Sequence, residues 1–83
     1  MARDRHGSET IGSIEAARLA GITLRQLYYW MRVFRAVHPQ VRRHGRRRFR
    51  HFTVEDVRRL TAIRRQLDRG FTLQAAVKAA SRS

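Results

Sequence analysis

Apolar residues along this chain fall into short runs with two different periods. Ala16, Leu19 and Ala20 recur at the three- and four-residue spacing of a helix face. Leu24, Leu27 and Met31 repeat that spacing, with Tyr28 and Trp30 flanking the stripe. Val57, Leu60, Ile63 and Leu67 form the cleanest stripe. Phe71, Leu73, Ala76 and Val77 form a short last one, suited to closing a core from below. Between the second and third runs the helical period is lost. Pro39 cannot continue a helix and biases His38 to extended geometry. Residues 41–53 then read as a β-hairpin, with Gly45 in the turn and Phe49 and Phe52 pinning the strands to the core.

Turn and cap residues delimit these elements. Ser13 is expected to cap a first helix that runs to Ala20, with Glu15 in its first turn. Gly21 makes a tight turn, and Thr23 caps a second helix from Leu24 to Val33 or Phe34. Thr53 and Asp56 have capping-box spacing, and Glu55 and Arg59 stand four apart as a helix ion pair. Gly70 ends the third helix and Thr72 caps the fourth. The expected architecture is mainly α, a winged helix-turn-helix of four short helices with a two-stranded β-hairpin wing. Residues 1–12 are expected to be a disordered basic arm, 13–80 the domain and 81–83 a tail.

Charge sharpens this picture. The 83 residues carry a net charge of +13, from 18 arginines and one lysine against six acids. Such a chain is expected to meet a polyanion. From Ala16 to Val54 there are ten arginines and no acid, and residues 42–50 hold six of those arginines. A surface that is merely soluble would intersperse the signs. On a helical wheel Arg25, Tyr29 and Arg32 lie opposite the apolar stripe of the second helix. Guanidinium and phenol groups suit phosphates and guanine edges. The candidate DNA-binding set is therefore Arg18, Thr23, Arg25, Gln26, Tyr28, Tyr29 and Arg32 from the helix-turn-helix, with Arg42, Arg43, Arg46, Arg47, Arg48 and Arg50 from the wing. Arg25, Gln26 and Tyr28 are the expected base readers. Arg3 and Arg5 are placed to enter a minor groove. Arg58 and Arg65 of the third helix are read as solvated scaffold residues.

There is no cysteine, so disulfides and thiolate metal sites are excluded. His6, His38, His44 and His51 lack acidic partners at useful spacing, so neither a metal site nor catalysis is expected, and no cofactor. No apolar run approaches the roughly 20 residues of a membrane span. The expected location is the cytoplasm, on the nucleoid.

Five stretches, in this order, resemble the MerR-type winged helix domain. They are Ala17-Arg18-Leu19-Ala20-Gly21-Ile22-Thr23, Arg25-Gln26-Leu27-Tyr28-Tyr29-Trp30, Phe49-Arg50-His51-Phe52-Thr53, Asp56-Val57-Arg58-Arg59-Leu60 and Gly70-Phe71-Thr72-Leu73. The resemblance implies that the second helix docks in a major groove and the wing lies on flanking backbone or minor groove. It implies DNA contacts for Arg25, Tyr29 (on a phosphate) and Arg50, with Trp30 at the edge of core and backbone. Tyr28 stands where the family usually has arginine, Arg48 where glycine precedes Phe49, and Phe34 where glycine commonly ends the recognition helix. Family regulators usually continue into a long dimerisation helix and an effector domain, and neither is expected in these 83 residues. The expected function is sequence-specific binding of double-stranded DNA by a small transcriptional regulator. It is expected to act as a monomer or as copies side by side, with room for a protein partner. The alternative is an excisionase-like recombination directionality factor that bends DNA. An RNA-binding module is a third reading, weakened because the apolar stripe residues and Trp30 are needed for the core.

Overall fold

A computed structural model describes residues 11–81. Helices α1 (Ser13–Ala20) and α2 (Leu24–Tyr29) come first, and α2 runs directly into a π-helical turn, Trp30–Phe34. The antiparallel strands β1 (Gln40–His44) and β2 (Arg47–His51) follow, then α3 (Val54–Asp68) and α4 (Leu73–Ser81). This is the winged helix-turn-helix expected from the periodicity.

The start of α1 differs from expectation. Gly12, not Ser13, is the N-cap, and no side chain caps the helix. The reason is a two-way bridge just upstream: Ile11 N–H donates to the Phe52 carbonyl at 2.7 Å, and Phe52 N–H donates back at 2.6 Å. Ile11 and Gly12 thus belong to the folded body rather than to an arm. Arg3 and Arg5 lie outside the described residues. Ser81, assigned to a tail, is the last residue of α4.

The buried face of α1 is Ala16, Ala17 and Ala20, while Leu19 is 47% exposed. At 100° per residue the centre of that arc lies about 100° from Leu19, so three alanines take the contact and let α3 approach closely. The helix closes with both hydrogen bonds of a Schellman motif: Ile22 N–H to the Ala17 carbonyl at 3.0 Å and Gly21 N–H to that of Arg18 at 3.1 Å. Gly21 has φ +76°, and a Cβ there would meet the Arg64 guanidinium at 3.2 Å.

Thr23 caps α2 as expected. Its partner in the capping box is Gln26, whose Oε1 accepts from Thr23 N–H at 2.9 Å. Leu27 and Trp30 point into the core. Trp30 is 2% exposed, so it is a core residue and not the edge contact that the resemblance implied. Helical geometry persists to Phe34, as expected, but its last five residues are wound as π-helix. The wider turn brings Tyr29 and Phe34 edge to face, with centroids 6.2 Å apart. Five residues apart in an α-helix would sit on different faces. Arg35 ends the turn in the left-handed region, φ +51°, where a glycine would be cheaper.

The core joins all four helices and the π-helical turn with the segments that flank the hairpin: Ala16, Ala17 and Ala20, Leu27 and Trp30, Ala36 and Val37, Phe52, Leu60 and Ile63, and Ala76 and Ala80. Phe52 anchors the wing from inside this cluster, whereas Phe49 is 39% exposed and does not reach it. The capping box of α3 forms as expected between Thr53 and Asp56. Glu55 pairs with Arg58 at 3.2 Å rather than with Arg59, which is half-buried. Gly70 closes α3 at φ +96° in a second Schellman motif. Phe71, expected in the core, is 53% exposed: it is the last residue of that motif, its N–H bonded to the Gln66 carbonyl, and lies outside α4. Thr72 caps α4 through a 3.2 Å bond from Ala75 N–H.

Candidate nucleic-acid interface

Burying Leu27 and Trp30 forces the rest of α2 outward. Arg25, Gln26, Tyr28, Tyr29 and Arg32 are exposed and, with Leu24, line one shallow open groove. A second groove lies between this helix and the wing. Tyr28, Met31 and Arg32 form one wall, Val41 and Arg50 the other, and Val37, His38 and Pro39 close its end. Tyr28 and Arg32 border both grooves. The Arg50 guanidinium sits over the Tyr28 ring, 5.2 Å from its centroid.

Register sorts the wing arginines. Val41 pairs with Arg50 and Arg43 with Arg48, so these four share one face of the hairpin. That face carries Val41 and Arg50 into the groove with Tyr28. Arg42 pairs with Phe49, and Arg47 lies on their face, its guanidinium 5.8 Å from the Phe49 ring centroid. Arg46 is in the turn. The expected cluster of six thus divides: Arg43, Arg48 and Arg50 flank the helix side, and Arg42 and Arg47 project from the other.

The described acids are held elsewhere. Glu15 accepts from Arg18 Nε at 3.0 Å, and this hydrogen bond keeps its carboxyl below the ordinary value of 4.5. Glu55 pairs with Arg58, Asp68 with Arg64 at 3.8 Å, and Asp56 completes its capping box. Among the described residues no acid pairs with Arg25, Arg32 or the wing arginines. Glu15 does border a third shallow groove, with Ile14, Leu24, Tyr28 and residues 48–50.

These positions agree with the order of motifs in one family of regulators. Residues 13–83 match the profile of the MerR HTH family regulatory proteins. The chain belongs to the MerR HTH family. That family comprises DNA-binding transcription regulators, not enzymes. No curated protein matches the chain.

Of the residues singled out in the sequence, the MerR fold brings Arg25, Gln26, Tyr28, Tyr29, Arg32 and Arg50 together. Thr23 and Gln26 are already bonded to each other, and Arg18 is bonded to Glu15. Sequence reasoning missed Val41, His38 and Pro39 as groove residues. Period-two alternation across the hairpin, which sets Val41 opposite Arg50, is the signal that finds Val41. The Nε2 of His51 is buried, without a hydrogen-bond partner among the described residues. Among those residues no group of three His, Asp or Glu side chains is placed to hold a metal ion. None of their helices is long and apolar enough to cross a membrane.

Proposed function

We propose that this MerR-family protein binds double-stranded DNA with α2 and the π-helical turn in a major groove and the wing on the adjoining backbone or minor groove. The observation that carries the reading is the convergence of Arg25, Tyr29 and Arg32 with Arg50 on a flank where, among the described residues, the bordering acid Glu15 is held by Arg18. Arg25 reads a base edge through its planar guanidinium, and Gln26 offers its amide N–H donors, since its oxygen is held by the cap. Tyr29 and Arg32 hold phosphates, as do Arg43, Arg48 and Arg50. Arg42, Arg46 and Arg47 meet the strand on the far side of the wing. Arg18 reaches a phosphate only by leaving Glu15, and Thr23 contributes mainly by fixing the start of the helix. Binding at a promoter then acts on transcription.

The test begins with selection of duplexes from a randomised pool. With about six phosphate contacts, log affinity for the selected duplex should fall against log salt with a slope of about −5. Arg25→Ala should lose about 1–3 kcal/mol on that duplex and much less on an unrelated one. A flat salt response, or equal losses on both duplexes, overturns the docking.

A further inference from the structure

We infer that Tyr28 is a positioning residue: its ring seats the Arg50 guanidinium and so couples the wing to the recognition helix. The inference rests on the DNA-binding reading above and assigns Tyr28 a role different from base reading. Three observations support it. The two side chains come from separate elements, α2 and β2, and meet at 5.2 Å, within the distance at which a guanidinium over an aromatic face is attracted. Tyr28 is only 38% exposed, and one face of its ring is covered by Arg50, which leaves a reduced surface for stacking on a base. Among the described residues Arg50 has no carboxylate partner, so the ring is what holds it.

The consequence is mechanical. Arg50 is in β2, one residue before His51 and two before the Phe52 anchor, and is thus fixed at its base. Its long side chain would otherwise sample many rotamers. The Tyr28 ring narrows that choice toward the groove that Arg32 borders. A phosphate arriving there meets two guanidiniums already in place. Ordering a free side chain on binding costs affinity, and a preformed contact avoids that cost. The phenol hydroxyl has no part in this, because the attraction belongs to the ring face.

A double-mutant cycle decides the matter, on the duplex selected with the wild-type protein. Tyr28→Ala and Arg50→Ala should each weaken binding. The double variant should bind no worse than Arg50→Ala, with a coupling of roughly 2- to 5-fold in affinity. Tyr28→Phe should bind like wild type. Tyr28→Ala removes no charge, yet its salt slope should move toward that of Arg50→Ala. Additive losses overturn the inference, and so does Tyr28→Phe losing as much as Tyr28→Ala, which would give the hydroxyl a direct contact with DNA. A measurement without DNA separates this result from failure of the binding reading. The Arg50 side-chain protons should show a ring-current shift in NMR spectra that Tyr28→Ala abolishes and Tyr28→Phe keeps. An Arg50 shift unaltered by Tyr28→Ala refutes the seat whether or not a duplex binds.

Discussion

Two parts of this molecule are rich in arginine, and they use it differently. The wing holds six arginines between 42 and 50 with no acid among them. Helix α3 holds Arg58, Arg59, Arg64 and Arg65 among Glu55, Asp56 and Asp68. On α3 the cations answer to neighbours. Arg58 pairs with Glu55, Arg64 reaches Asp68, and the Arg64 side chain lies over Gly21 at the turn between α1 and α2. On the wing the partners are aromatic rings: Phe49 for Arg47 and Tyr28 for Arg50. An aromatic ring orients a guanidinium without cancelling its charge. The same residue type is therefore structural on one element and available on the other, and the difference lies in what stands beside it.

The largest expected effect asks whether wing and scaffold are one body. Phe52 is fully buried in the shared core. Phe52→Ala should cost about 3–5 kcal/mol of stability in denaturant titration, because it leaves a cavity where wing, α1 and α3 meet. A loss under about 1 kcal/mol would mean that the hairpin is loosely attached. Next comes the contrast in charge. Replacing Arg43, Arg48 and Arg50 together by alanine should flatten the salt dependence of DNA binding by about three units of slope. Replacing Arg58, Arg64 and Arg65 should leave the slope nearly unchanged. Equal effects from the two triples would erase the distinction between the regions. Gly21→Ala should destabilise by about 1–2 kcal/mol, measured by thermal melting, since φ +76° is strained for alanine and Arg64 must give way.

The smallest effect concerns Glu15, which borders a groove that residues 48–50 also line. Arg18 holds its carboxyl below the ordinary value of 4.5, chiefly through the hydrogen bond. A carboxyl depressed on folding stabilises the protein above its unfolded value, and that contribution disappears as pH falls through the folded one. Glu15→Gln should therefore remove a small part of the stability loss below about pH 4.5, seen in acid titration by circular dichroism. It should also release Arg18 and strengthen DNA binding slightly.

Most of the scaffold was legible because it rests on local chemistry. Thr53 and Asp56, Gly70 and Thr72 set their boundaries through their own backbone bonds, and the stripe of α3 repeats without a break. The hairpin was legible from Pro39, Gly45 and the change of period. What escaped depended on contacts across the chain. Ser13 lost its cap role because Phe52, some forty residues on, holds Ile11. Leu19 and Phe71 looked apolar enough for the core, yet both are exposed while the small Ala17 and Ala80 are buried. At the interface, residue types were readable and directions were not. Six wing arginines in a row of nine give no hint of the two faces until Val41 is set against Arg50. That Tyr28, expected to read a base, lies under the Arg50 guanidinium appeared only once the wing was placed.

The π-helical turn carries one residue more than an α-helix would need between Tyr29 and Arg35. Deleting Val33, which is half exposed, would let the backbone relax to ordinary winding. Phe34 would then follow Tyr29 by four residues and stay on its face, whereas winding all the present residues as α-helix would drag the bend at Arg35 about 100° around the axis, and Ala36 and Val37 with it. The wider winding thus absorbs the surplus residue: it lets a helix that starts in step with the core finish in step with the hairpin.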